Sequence, residues 1–287
     1  MRAVAPHRLF GFGQVLDSAV AIPGAIAPPE TDVSTPALSI TAATGPAPGP
    51  GDLYRCEGDA FIYSLAQTVS FRCTPRSIGI TAPEDADPAL IAELLIANAL
   101  PAVLWQQGSF MLHAAAIVLP GRTGAIAIAG ASGMGKSSAA AALLEHGAKL
   151  VGDDSVAIDC GAAGVTASGL PGGLFDAIVS GEPRGFRPVA TDRSIPSAAL
   201  AGIVLLADRE AAFRFEPVTR LRAAELVLAQ QHRPGIPALL GLRQNVVTRA
   251  VAVARSVPVA LWHRRAGNKT MTTDEVAAMA RCFGATG

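Results

Sequence analysis

Charge is scarce in this chain. Asp, Glu, Lys and Arg make up 16% of its 287 residues, and the 23 basic and 23 acidic side chains cancel. A neutral chain with no dense Lys/Arg run lacks the field needed to track a phosphate backbone, which argues against a dedicated nucleic-acid binder. Lysine is rarest of the charged types, confined to Lys136, Lys149 and Lys269. The cysteines Cys56, Cys73, Cys160 and Cys282 have neither C-x-x-C spacing nor a clustered histidine. They read as structural thiols of a reducing compartment rather than a zinc site or a disulfide framework. Half the residues are hydrophobic, yet no uninterrupted apolar run is long enough for a bilayer. The nearest candidate, Pro88 to Trp105, carries Glu93, Asn98 and Pro101 and reads as a buried or amphipathic helix, so no membrane partner is expected. The start, Met1 to Phe12, is broken by Pro6 and has no continuous apolar core of a signal peptide, so a cytoplasmic location is expected.

Against these absences, one local pattern stands out. Gly130-Ala131-Ser132-Gly133-Met134-Gly135-Lys136-Ser137 fits G-x-x-x-x-G-K-[ST] in full, with Ser138 following. Glycines let the backbone curl until successive N–H groups point at phosphate oxygens; Lys136 can neutralise β/γ charge and the Ser137 hydroxyl can ligate Mg²⁺. The context agrees. Ala125-Ile126-Ala127-Ile128-Ala129 reads as a buried strand, and Ser137 to Glu145 is rich in Ala and Leu, so the loop falls at a strand-to-helix junction where the helix N-terminus adds positive field. Residues 130–138 are therefore the expected nucleotide-binding set.

The rest divides into three parts. Residues 1–87 are expected to form a β-rich N-terminal domain, with strands at Arg8 to Phe12, Pro36 to Ile40, Ala60 to Ser64 and Val69 to Cys73. Gly45 to Gly51, alternating Gly, Pro and Ala, is a loop within it. Residues 88–108 are a connecting helix, expected over Ala89 to Ala99. From 109 to 287 a second domain is expected. Its opening runs, Phe110 to Leu119 and Gly124 to Ala129, would form a hairpin leading into the glycine loop. Later strands are expected at Ala201 to Leu206 and Val257 to Trp262, and helices at Arg222 to Gln231 and Thr273 to Cys282.

Asp154 stands eighteen residues after Lys136, and with Asp153 it ends the strand Leu150-Val151. Consecutive strand side chains face opposite ways, so one aspartate can face the nucleotide, or the turn can bring both in. Phosphoryl transfer needs one carboxylate for Mg²⁺ and one for the acceptor proton; a turn-capping pair would need neither. His113, in Met111-Leu112-His113-Ala114-Ala115, would by itself be a packed strand residue. His7, His146, His232 and His263 show no partner pattern and read as surface or structural. Arg184, Arg187 and Arg193 could clamp a phosphoryl group or simply form surface ion pairs.

Taken together, His113 before the loop, G-A-S-G-M-G-K-S-S, and Leu143 to Val156 (L-L-E-H-G-A-K-L-V-G-D-D-S-V) resemble the HPr serine kinase/phosphorylase catalytic domain. That pattern runs L-H-[GA]-x-x-V, G-x-S-G-x-G-K-S, L-x-x-R-G-H-x-L-V-x-D-D-x-V. The likeness covers about residues 110 to 160; the remainder is similar to the looser group of HPr-kinase-related proteins, including those encoded with lasso-peptide maturation enzymes. The resemblance implies an α/β fold, with an HPr kinase/PEP carboxykinase-like P-loop domain after the smaller β-rich one. It also implies an ATP- and Mg²⁺-dependent kinase acting on a serine of a protein or a lasso-type precursor peptide. Lys136 would hold the β/γ-phosphates, Ser137 would ligate Mg²⁺ with Asp153 in support, Asp154 would be the base, and His113 would line the pocket. Homo-oligomers occur in that family. Two departures are visible: where the family has the metal-binding E-x-R-G-L-G, residues 167–174 hold neither glutamate nor arginine, and the segment between His113 and the loop is about two residues longer. Either Ser137 and the aspartates hold the metal alone, or Asp176 or another acid substitutes. A generic NTPase, a small-molecule kinase and a regulatory nucleotide-binding module without turnover are the alternatives.

Overall fold

In the computed structural model the described residues are 7–30, 37–176, 185–267 and 271–283, arranged as a mixed α/β molecule. Seven short strands build a first sheet: β1 (His7–Gly11), β2 (Gln14–Ser18), β3 (Leu38–Thr44), β4 (Tyr54–Glu57), β5 (Ala60–Leu65), β6 (Val69–Thr74) and β7 (Ser77–Ala82), in the order β1-β2-β3-β7-β6-β5-β4. In β6, Val69, Phe71 and Cys73 are buried and Arg72 between them is exposed, the period-two signature of a half-covered sheet. The four expected strands are present as β1, β3, β5 and β6, although Pro36 lies outside the described residues. Sequence reading missed β2, β4 and β7; β4 is an exposed, polar edge and β7 has Gly79 at its middle, which hides the alternation.

The next segment is a single apolar helical run, α1 (Pro88–Leu94), a π-turn over Leu95–Ala99, and α2 (Leu100–Gln107). Asp87 caps its start, its Oδ1 accepting from Ala89 N at 2.9 Å. The helix extends past the expected end at Ala99 because Pro101 falls in the first turn of α2, where a missing N–H is tolerated. It is long and apolar enough to cross a membrane, with mean hydropathy 1.7, but 72% of that stretch is buried inside the molecule.

A second sheet follows. Its elements are β8 (Phe110–Leu112), β9 (Ala114–Val118), β10 (Ala125–Ala129), α3 (Lys136–Glu145), β11 (Lys149–Gly152), β12 (Val156–Gly161), β13 (Gly164–Ser168), the small pair β14 (Gly173–Phe175) and β15 (Phe186–Pro188), β16 (Ser197–Leu206), β17 (Arg214–Pro217), α4 (Arg220–Ala229), α5 (Gly235–Leu239), α6 (Arg243–Ser256), β18 (Val259–His263) and α7 (Thr273–Phe283). The order is β11-β9-β10-β16-β13-β12-β8, and β18 pairs with both β16 and β17. Strands β10, β16 and β18 run parallel, so Ala129, Leu206 and His263 end at one edge, the side of a parallel sheet where ligands bind.

The expected hairpin is corrected in one respect. Only Ala114–Val118 pairs with β10; Phe110–Leu112 is a separate strand paired with β12, and the break falls at His113. There the backbone N–H leaves the sheet and donates to the Gln230 carbonyl at 2.8 Å. Around β10, Ile126 and Ile128 join Ile117, Leu143, Trp262 and Phe283 in one apolar layer. The alternate alanines 125, 127 and 129 face a larger cluster running from Phe12, Leu38 and Phe71 through Trp105 and Phe110 to Val253. A strand buried on both faces reads as a continuous apolar run, as A-I-A-I-A does.

Candidate active site

The glycine-rich loop occupies residues 130–135 between β10 and α3. Gly130, Gly133 and Gly135 have φ of 152°, 80° and 89°, conformations that residues with a side chain rarely adopt. Gly135 is also the N-cap of α3, so the loop delivers the chain into the helix with the helix's first N–H groups directed toward it. Ala131, Ser132 and Gly133 are exposed, whereas Lys136 is 7% exposed, its Nζ donating to the carbonyls of Gly130 (2.9 Å) and Ala131 (3.2 Å). A buried ammonium is held here by the loop it follows.

Ser137, one residue into the helix, donates its hydroxyl to Asp153 Oδ1 at 3.0 Å, and Asp153 Oδ2 accepts from Phe175 N at 2.9 Å. Asp153 is 2% exposed. Burial pushes its pKa up to about 6 against the lowering pull of those hydrogen bonds, with Asp154 adding to the rise. Residues 167–174 thus contribute no acid; the chain just beyond them, at β14, contributes a backbone N–H that fixes the aspartate. Asp176 pairs instead with Arg187, Nε to Oδ1 at 2.9 Å, on an exposed face. Arg193 is exposed, and Arg184 lies outside the described residues.

The turn after β11 separates the two carboxylates. Asp154 adopts φ of 69°, left-handed for a residue with a side chain, and its carboxylate faces two histidines. Its Oδ1 is 3.9 Å from His113 Nδ1 and its Oδ2 is 3.8 Å from His232 Nε2. Thus Ser137 holds Asp153 while His113 and His232 flank Asp154, and the two pairings meet at the peptide bond between the aspartates.

His232 was read from sequence as surface or structural; it is not on the surface, being 4% exposed, and it faces Asp154. Arg264 was also missed. It follows β18, its Nη2 donates to the Met134 carbonyl, and its Nη1 would be 3.2 Å from a Cβ added at Gly135. Among the described residues it has no carboxylate partner, and its buried Nε has no hydrogen bond. Burial, and then the charge of Arg209, lowers its pKa. Neither residue shows a motif, and the available signal was topological: a basic residue at the end of a strand parallel to β10 shares its edge with the loop. A cavity of about 190 Å³ lined by Leu119, Arg122, Ile126 and Phe283 lies at the opposite end of β10 and takes no part in this arrangement.

Ser137 Oγ and Asp153 Oδ1 are hard oxygens of the kind Mg²⁺ takes, here joined to each other by a hydrogen bond of 3.0 Å; among the described residues they belong to no cluster of three or more His, Cys, Asp or Glu that could hold a metal ion.

No family model matches the chain, and no curated protein matches it. Among solved structures it is similar to the HPr(Ser) kinase/phosphatase from Coxiella burnetii, at 14% identity over 60% of this chain and 95% of that one, with a TM-score of 0.35.

Proposed function

We propose that the chain is an ATP- and Mg²⁺-dependent kinase that transfers the γ-phosphoryl group to a serine hydroxyl of a protein or peptide. A lasso-type precursor peptide is one such acceptor. The observation that carries this reading is the division of labour between adjacent residues: Asp153 is tied to the loop-helix hydroxyl of Ser137, while Asp154 faces His113 and His232. A site that only bound nucleotide would need the first half alone.

In this reading the N–H groups of residues 130–138 cradle the phosphates, and Lys136 exchanges the Gly130 and Ala131 carbonyls for β/γ-oxygens. Ser137 and Asp153 would hold Mg²⁺, which would supply charge neutralisation of the phosphates. Asp154 takes the proton of the serine hydroxyl as its oxygen bonds to the γ-phosphorus. The bond from that phosphorus to the β–γ bridging oxygen breaks, and ADP leaves with the electron pair. Arg264, set against the loop at Met134, offers a fixed cation to the phosphoryl oxygens. His113 lines the acceptor side. The proposal keeps the division into a β-rich part (1–87), a connecting helix (88–108) and a catalytic part (109–287), with the first sheet docking the acceptor or a second copy of the chain. It places the protein in the cytoplasm, with neither nucleic acid nor membrane as partner.

The test incubates purified protein with γ-labelled ATP, Mg²⁺ and a panel of HPr and serine-containing peptides, beside Lys136→Ala and Asp154→Asn. Label transfer that both variants lose supports the kinase, with Asp154→Asn still binding ATP. Hydrolysis without transfer makes the protein an NTPase; binding without either reaction overturns the enzyme reading in favour of a regulatory module.

A further inference from the structure

Phosphoryl transfer through a carboxylate base requires that base to be aimed, and the backbone around Asp154 builds a device for aiming it. Residues 111–113 and 230–232 come together as a short antiparallel bridge centred on Leu112 and Gln231. His113 N donates to Gln230 O at 2.8 Å, and His232 N donates to Met111 O at 2.9 Å. In that register His113 and His232 are diagonal neighbours on one face, within reach of each other's rings. The rings stack, with centroids 5.7 Å apart and planes 19° from parallel.

The seat of His232 is secured from two sides. Trp105 Nε1 donates to the His232 carbonyl at 3.3 Å. Pro101 has no N–H for the carbonyl of Ala97 four residues before it. Arg233 Nε donates to that carbonyl at 3.1 Å, tying the segment to the buried helix. An imidazole buried to 4% exposure, on a backbone anchored this firmly, is expensive to place unless it meets a polar partner. The partner it faces is the Asp154 carboxylate, at 3.8 Å from Nε2.

We infer that His232 is a positioning residue for Asp154. With His113 it forms a two-imidazole clamp, one ring nitrogen facing each carboxylate oxygen, that holds the left-handed Asp154 in place for the acceptor. At 3.8 and 3.9 Å the two contacts are longer than hydrogen bonds, and the clamp requires them to shorten when substrate binds. The clamp gives the buried apolar helix a second task, since that helix anchors His232. It rests on the kinase reading in one respect, the role of Asp154 as base.

The test uses water as acceptor, following release of inorganic phosphate from Mg²⁺-ATP by the full chain and by His232→Leu, His232→Gln and Asp154→Asn. A second readout is the ¹⁵N signals of the imidazole nitrogens. His232→Leu is expected to lower kcat about 10–100-fold, the range that orienting partners of reactive groups carry, with KM for ATP unchanged. His232→Gln, whose amide nitrogen reaches the place of Nε2, recovers most of the loss, which a merely structural role would not allow. In the full chain with His232 intact, Asp154→Asn shifts the Nε2 signal of His232. Unchanged turnover in His232→Leu, or a His232 signal indifferent to Asp154→Asn, overturns the clamp. Asp154→Asn without effect on turnover overturns the base assignment instead, and the nitrogen signal then judges the clamp separately.

Discussion

A carboxylate that is 2% exposed beside an exposed loop is a costly residue, and Asp153 shows where the cost falls. Its folded pKa, about 6, lies above the ordinary carboxylate value of 3.8, so between those values the folded chain binds more protons than the unfolded one. Stability therefore falls as pH rises from about 4 to about 6 and stays lower above it. In protein freed of divalent cations, Asp153→Asn is expected to remove that slope and to raise stability at pH 8 by on the order of 2–3 kcal/mol, at about 1.4 per pKa unit. Urea midpoints measured from pH 4 to pH 8 check this; a slope that persists in the variant means another group carries it. The same variant is expected to lose Mg²⁺-dependent nucleotide binding, since the amide withdraws the charge the metal needs. A residue that costs stability when alone and is needed when the ligand binds fits a site built for its ligand.

Elements hold these residues in place through backbone contact more than through side chains. Strand β11 and the segment after β13 cross so closely that a Cβ on Gly152 would lie 2.7 Å from the Gly169 Cα, and one on Gly169 would lie 2.8 Å from the Gly152 Cα. The Gly152 backbone cannot give way without moving Asp153, the next residue. Gly152→Ala is expected to cost about 1–3 kcal/mol, as overpacking does, and to weaken ATP binding with it. A urea midpoint that drops while ATP affinity holds would separate the crossing from the site. On the other side of that crossing, Phe12 N donates to Gly169 O at 2.8 Å and Gly172 N to Gly24 O at 2.8 Å. The first sheet's opening hairpin therefore braces the segment that fixes Asp153.

At the scale of the molecule, one hydrophobic cluster runs from Phe12 and Phe71 in the first sheet, through the buried helix, to Val253 in α6. Cooperative units follow shared cores. Thermal unfolding is expected as one transition whose calorimetric and van't Hoff enthalpies agree. Phe71→Ala, in the first sheet and fully buried, is expected to cost about 3–5 kcal/mol and, in a Trp105→Phe background, to lower the midpoint reported by Trp262 in the second sheet by as much as that reported by circular dichroism. Two separated transitions, or a Trp262 midpoint left unmoved, would mean that the sheets fold independently.

Sequence by itself determined the strand, loop and helix around Gly130 to Glu145, the Asp153-Asp154 turn and the strands with clean alternation. In each of these the information is local: positive φ asks for glycine, a helix N-terminus favours phosphate, and burial on both faces writes an unbroken apolar run. It also determined a helix over Ala89 to Ala99, though not that it runs past Pro101 to Gln107. What tertiary structure alone decided is which distant residues meet that local core. Arg264 reaches Met134 across 130 positions of chain because β18 runs parallel beside β16 and ends at the loop's edge. His232 reaches Asp154 because a three-residue bridge, set by backbone hydrogen bonds that any residue could make, lays its ring beside that of His113. Backbone pairing of that kind leaves no periodicity in the side chains, so no pattern in the sequence announces it.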